Sequence, residues 1–194
     1  MSRVIVLHAP APGHSSPEWE RSLLQRLPYA RRLELESRDR QARRASLGGT
    51  ALLFEAAGRL GFDDVRSDEL HFPEGAKPSV TGGPYFSISH TAHCVACAAS
   101  RECDVGIDHE DFAGDEAPVR LRRWTAVEAT LKAAGAGLRR AGAVEVDGDL
   151  RFSRLDDTEY HLVPLDLGPG VVACLAVSSR PDAIEIQRLG GVYL

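Results

Sequence analysis

Residues 93–110 read HCVACAASRECDVGIDHE, two apolar runs separated by a polar turn. Each run suits a strand, one over 93–100 and the next over 103–109. The core of the first, VACAA at 95–99, returns as VACLA at 172–176, and each copy is followed by a polar turn and another β-like segment. A helix followed by antiparallel strands surrounds both copies. The pattern predicts an α+β fold of two similar halves, residues 1–102 and 103–194. Each half would pack a long helix on a small antiparallel sheet, the two would be related by pseudo-twofold symmetry, and a site at their junction would draw on both.

The remaining elements follow outward from this junction. An opening strand is expected over 3–8. In SSPEWERSLLQRL, Ser16 suits an N-cap, Pro17 the first helical position, and Trp19, Leu23 and Leu27 an apolar face recurring every four residues. A longer helix is expected from Asp39 to Leu60, stopped by Gly61, with Gly48-Gly49 a weak point in its middle. Further strands are expected near 69–72 and 84–89, and a helix from Thr125 to Ala134. VEVDGDLRF reads as a hairpin turning at Asp147-Gly148, and later strands are expected at 158–163, 171–178 and 183–188.

The chain of 194 residues is 43% hydrophobic and 26% charged, an ordinary globular composition. No run reaches the roughly 18 apolar residues of a membrane span, and the initial VIVL is too short for a signal core. A cytoplasmic protein is expected. Net charge is −5, which argues against a general nucleic-acid binder. Residues 1–60 nevertheless hold ten basic and six acidic side chains, so a local basic surface for one anionic ligand remains open. Of 23 cationic side chains 21 are arginine, which singles out the two lysines, Lys77 and Lys132. Cys94-x-x-Cys97, with His90 and His93 beside it, invites a zinc reading. In a strand, however, residues three apart face opposite sides, so buried, inert cysteines at 94, 97, 103 and 174 are the expectation.

In a strand over 103–109 running into Glu110, Asp108 and Glu110 share one face and His109 takes the other. With Glu128, expected in the first turn of the next helix, they would offer three oxygen donors to a hard divalent cation such as Mg²⁺. Solvated edge charges are the alternative for Asp108 and Glu110. For Glu128 the alternatives are a Thr125-x-x-Glu128 capping box and an i,i+4 pair with Lys132. Anion-binding candidates are Lys77 in GAKPSV, His90 at the end of FSISH, and Arg43 and Arg44 on the long helix; each could equally be solvated.

In order along the chain stand GAKP, FSISHT, VGIDHE and WTAVEATLKAAGAGL. Together they resemble the hallmarks of the 4′-phosphopantetheinyl transferase superfamily, over about residues 40–140. The length and the two halves are closer to its surfactin-type, pseudo-dimeric branch. The resemblance implies transfer of 4′-phosphopantetheine from coenzyme A to a serine of an apo acyl or peptidyl carrier protein, releasing adenosine 3′,5′-bisphosphate. It implies Mg²⁺ on Asp108, Glu110 and Glu128. Coenzyme A contacts would come from Lys132, Ser89 and His90, with Lys77, Arg43 and Arg44 at the adenosine end. Glu128 would assist deprotonation of the serine, with Lys132 acting beside it. A monomer is implied, with no nucleic acid and no membrane.

Three departures from the family pattern stand out. Val127 occupies a position usually held by lysine, Ser87 one usually held by asparagine, and only 13 residues separate Glu110 from Trp124. Arg120, Arg122 and Arg123 in RLRRW form either a basic surface for an acidic carrier or a solvated turn. A non-catalytic coenzyme A or carrier-binding paralogue is the alternative function.

Overall fold

The computed structural model describes residues 2–114 and 117–190. The chain opens with β1 (Arg3–Pro10), continues through α1 (Pro17–Gln25), α2 (Tyr29–Ser37) and α3 (Arg40–Arg59), and passes the short β2 (Leu70–His71) and β3 (Ser79–Val80). The hairpin of β4 (Tyr85–His90) and β5 (Cys94–Ser100) comes next, then β6 (Val105–Asp111) and α4 (Val119–Ala134). After a 3-10 turn at Leu138–Ala143 come β7 (Glu145–Val146), β8 (Phe152–Leu155), β9 (Thr158–Leu165), β10 (Val171–Val177) and β11 (Ala183–Arg188).

Helix and sheet mix in four layers. One sheet has the order β11-β1-β5-β4, the other β6-β10-β9-β8-β7. Strand alternation assigns the faces. Ile5, Leu7, Val95 and Cys97 point into a core with Leu47, Leu52 and Leu53 of α3. Val4, Val6, Ala96 and Ala98 point the other way, onto Ile107, Leu175 and Val177 of the second sheet. The far face of that sheet presents Cys174 and Ala176 to Ala126, Ala129 and Ala133 of α4. β5 is buried throughout because both its faces are covered, and its small residues let the sheets approach. The two sheets repeat one connectivity: β5 returns between β1 and β4, and β10 returns between β6 and β9.

The helix signals act as expected at two ends. Ser16 Oγ accepts from the Trp19 amide at 3.1 Å, and Asp39 Oδ1 from the Ala42 amide at 2.9 Å. Gly48 and Gly49 do not interrupt α3. Both are buried, and a Cβ at Gly49 would run into Ile88 of β4, so glycine permits the close approach.

Five expectations are corrected. α2 is absent from the sequence reading: it starts after Pro28 with no side-chain cap, and Leu35 is its one buried residue, so neither cap nor periodicity marks it. α4 begins at Val119, which puts Thr125 inside the helix, where its hydroxyl donates to the Arg122 carbonyl at 2.9 Å. The capping box therefore does not form, and Glu128 does not lie in the first turn. Arg120, Arg122 and Arg123 are likewise on the helix and not in a turn. The 145–155 hairpin closes through a wider loop, in which Asp147 Oδ1 accepts from the amides of Arg151 (2.7 Å) and Phe152 (3.0 Å). Finally, the 103–194 segment lends β11 to the other sheet, parallel to β1. Among the described residues no helix is long and apolar enough to cross a membrane.

Candidate functional site

The site begins with the face of β6 that looks at α4. Gly106 comes first on it, and a Cβ there would overlap the Ala129 carbonyl oxygen and the Ala133 amide. Only glycine lets the helix backbone lie directly on the strand. Two residues on, Asp108 is 3% exposed, and Glu110 follows on the same face at the strand's open end. α4 sets Glu128 and Lys132, one turn apart, against this strand.

Lys132 Nζ donates to Asp108 Oδ1 at 2.6 Å and to Ser89 Oγ at 3.2 Å, while Ser89 Oγ donates to Asp108 Oδ1 at 3.1 Å. The other oxygen, Asp108 Oδ2, is buried with no hydrogen-bond partner. Ligand atoms of Asp108, Glu110 and Glu128 lie within 4.8 Å of one another. Three carboxylates thus face one ammonium. Burial, then the Asp108 charge, pushes the Glu110 carboxyl above its usual range, with Lys132 partly offsetting and Asp111 adding. Burial and Asp108 push Glu128 up as well, against Lys132, with Glu110 adding and a hydrogen bond from Trp124 opposing. An orphaned buried oxygen, two destabilised carboxylates and an all-oxygen donor set fit a hard dication. Solvated edge charges do not fit the burial of Asp108.

His109 lies on the opposite face of β6. Its Nε2 donates to the Cys94 carbonyl at 3.2 Å, and burial holds its pKa below the ordinary value. It is a neutral side chain between the sheets and faces away from the acidic groups.

Beside the triad opens a cavity of about 470 Å³, lined by Glu128, Lys132 and His90 and closed on the other side by Arg31, Arg38 and Phe72. Burial, then the charges of Lys132, Arg38 and Arg31, keeps the His90 pKa below its ordinary value. Arg38 donates to Ser46 Oγ (3.1 Å) and Glu34 Oε1 (2.6 Å); Arg31 donates to Glu34 Oε2 (2.5 Å) and lies 4.7 Å from the centre of the Phe72 ring. Arg31 and Arg38 were missed in the sequence because they belong to α2 and its end, and 21 arginines left nothing to distinguish them.

Three expected ligand-binding residues take other places. Arg43 and Arg44 do not line the cavity. They face α1, where Arg44 Nε meets Glu20 Oε1 at 2.9 Å and Arg43 Nη2 meets Glu20 Oε2 at 3.2 Å, and Arg44 also donates to the Gly13 carbonyl. Lys77 lines the cavity with its stem. Its ammonium donates to the Ala133 carbonyl (3.0 Å), the Val105 carbonyl (3.1 Å) and Asp104 Oδ1 (3.2 Å), which uses all three of its hydrogens. It ties the end of α4 to the start of β6.

The cysteines are all free and buried. Burial pushes the Cys94 thiol up to about 11 and the Cys174 thiol up to about 12, the opposite of thiolate ligands. The only metal-competent group among the described residues is the acidic triad. Val127, where the family pattern has lysine, is buried in the core between α4 and the second sheet. Ser87, in place of asparagine, accepts from the Ile107 amide at 3.1 Å and so joins β4 to β6.

No protein-family model matches this chain, and no curated protein matches it at a significant level.

Proposed function

We propose that the protein transfers 4′-phosphopantetheine from coenzyme A to a serine of an apo acyl or peptidyl carrier protein of fatty-acid, polyketide or peptide synthesis. One observation carries this reading. Ser89 and His90 of β4, Asp108 and Glu110 of β6, and Glu128 and Lys132 of α4 come from three separate motifs and converge at the rim of one cationic cavity. The repeated connectivity supports a duplicated, pseudo-twofold protein with the site at the seam of its halves, and the reading carries with it a cytoplasmic monomer.

Arg31, Arg38, His90 and Lys132 suit the phosphates of coenzyme A, a polyanion. Lys132 spends two N–H groups on Asp108 and Ser89, which leaves one for a phosphate oxygen. Asp108, Glu110 and Glu128 would hold Mg²⁺, which when bound neutralises charge on the pyrophosphate. The serine Oγ forms the new bond to the pantetheine-linked phosphorus, and the bond from that phosphorus to the bridging oxygen breaks. Adenosine 3′,5′-bisphosphate leaves with the electron pair. A Glu128 oxygen takes the serine proton, from its position on α4 at the wall of the cavity.

The test is intact-mass spectrometry of apo carrier proteins after incubation with the protein, coenzyme A and Mg²⁺. A phosphopantetheine gain that EDTA abolishes is the expected result; no gain on any carrier refutes the reading. The buried Val127 and the short β6–α4 connection favour the second reading, a non-catalytic paralogue on the same fold. In that case Glu128→Gln would leave the biological role intact, whereas in the transferase it nearly abolishes transfer.

A further inference from the structure

A second cavity, of about 450 Å³, opens between α1 and α3 and shares no lining residue with the one beside Lys132. α3 presents Arg40, Arg43 and Arg44 to it, a spacing that keeps all three on one side of the helix. α1 answers with Glu20 and Arg21, Pro17 and Leu24 form an apolar wall, and Glu36 lines it from the last turn of α2. Four guanidinium groups thus surround one hollow against two carboxylates, in a chain of net charge −5.

Pairing inside the hollow is incomplete. Glu20 is fully engaged: its Oε1 accepts from Ser15 Oγ at 2.6 Å and from Arg44 Nε at 2.9 Å, and its Oε2 from Arg43 Nη2 at 3.2 Å. Arg43 spends only that side-chain N–H, and its Nε is buried with no hydrogen-bond partner. Neither Arg21 nor Arg40 has an acidic partner among the described residues. An orphaned buried donor and four like charges around one hollow both cost stability. A ligand that brings oxygen acceptors and negative charge offsets both, and the guanidinium fork matches the oxygens of a phosphate. Four arginines less two glutamates leave the lining with a charge of +2, which a phosphate dianion matches and a lone carboxylate does not.

We propose that this hollow binds a phosphate group, free or carried by a small organic molecule, with Arg21, Arg40 and Arg43 as its ligands. The phosphate gives the Arg43 Nε hydrogen its acceptor and bridges α1 to α3 beside the Glu20 ion pairs. Pro17 and Leu24 face the rest of an organic ligand. Glu20 limits the affinity, because its carboxylate holds part of Arg43 and repels the anion. Binding here does not depend on the transferase reading, since neither the acidic triad nor Lys132 lines this cavity.

The test is calorimetric titration with inorganic phosphate and with phenyl phosphate, alongside thermal unfolding in each anion against sodium chloride of equal ionic strength. Wild type should bind both, and Arg21→Gln/Arg40→Gln should bind them about tenfold more weakly. The double variant should keep its own Tm in chloride, because the side chains it replaces have no acidic partners. Tighter binding of phenyl phosphate assigns the hollow to an organic phosphate, and equal affinity assigns it to the free ion. Glu20→Gln, which removes the competing charge, should bind phosphate about threefold more tightly although it is less stable. Arg38→Gln separates the two cavities: binding lost in that variant and kept in the double variant puts the anion beside Lys132 and overturns the proposal. A Tm rise that the double variant retains in full is a general salt effect and overturns it too. So does a wild-type protein that binds neither anion.

Discussion

Replacing Lys77 by methionine keeps most of the stem and removes only the ammonium, so it separates two roles the sequence alone could not. As a phosphate ligand, Lys77 would contribute to coenzyme A affinity; as the tie between α4 and β6, it contributes to folding. The structure favours the tie. Two of its three hydrogen bonds go to the main-chain carbonyls of Ala133 and Val105. The third goes to Asp104, whose side chain is 47% exposed and is discounted for solvent screening. Charge-assisted bonds to carbonyls contribute roughly 1.5–3 kcal/mol each when removed. Burial lowers the lysine's own pKa despite Asp104, so part of that gain is already offset by desolvation. A net loss of about 2–3 kcal/mol follows, equivalent to roughly 5–10 °C in Tm for a domain of this size. Guanidinium unfolding gives the stability change, and calorimetry gives the affinity for coenzyme A. The expected result is a clear loss of stability with affinity changed less than about threefold, an order of magnitude short of losing a bound charge. A variant as stable as wild type that binds coenzyme A about a hundredfold more weakly would refute the reasoning and return the ammonium to the phosphates.

Gly106→Ala would press a methyl group into the main chain of α4, which cannot move aside, and should cost about 3 kcal/mol or more in a denaturant midpoint; a shift below about half a kcal/mol would show that the helix can ride higher. Glu20→Gln tests the α1–α3 junction by its pH dependence. Burial alone would raise this carboxyl, but the Ser15 hydroxyl, Arg44 and Arg43 outweigh it and hold the pKa below the ordinary 4.5. A depressed folded-state pKa stabilises above the unfolded value and is lost as pH falls through the folded one. The variant should therefore be less stable by about 1–2 kcal/mol at pH 7, and the gap should close on acidification below the ordinary value; a gap independent of pH would sink this account. Glu128→Gln should raise the Tm of the metal-free protein, because a carboxylate with an elevated folded-state pKa destabilises the fold once ionised. Mg²⁺ at tenfold its Kd should stabilise wild type by about 1.4 kcal/mol and the variant by much less; equal stabilisation would place the ion elsewhere.

Legibility in the sequence followed the range of the forces involved. The alternation of VGIDHE is a local property of one strand, so the shared face of Asp108 and Glu110 and the opposite course of His109 could be read directly. The repeat of VACAA as VACLA was legible because both copies occupy central strands, where only small or branched apolar residues fit. Helix α2 was not legible. Its single buried leucine leaves no periodicity, and it is held in place by packing against α3 and not by its own signals. That hides Arg31 and Arg38, and it leaves Arg43 and Arg44 looking equally eligible, since sequence alone does not tell which side of α3 faces a cavity. The start of α4 was misplaced for a related reason: Thr125 resembles an N-cap, yet a hydroxyl inside a helix can return its hydrogen to the preceding turn, as this one does. Gly106 carries no local signal either, because its necessity comes from the main chain of Ala129 and Ala133 in α4, more than twenty residues later.

The location of the site follows from how two sheet edges meet. β4 ends one sheet and β6 ends the other, so each presents main-chain groups that lack a ladder partner on that side. Pairing them directly would merge the sheets and close the space between β4 and α4. Instead, short hydroxyl side chains bridge the seam: Ser87 receives the Ile107 amide, and Ser89 reaches Asp108. The seam is thereby satisfied without being zipped, and the gap it preserves is where Lys132, Asp108 and Glu128 face the cavity. The carboxylates belong to one half and the serine and histidine to the other. Neither half, cut at the turn before β6, would retain the site, and the first would also lose β11 from its sheet. The chemistry therefore depends on the fold being whole, because the site is a property of the seam and not of either sheet.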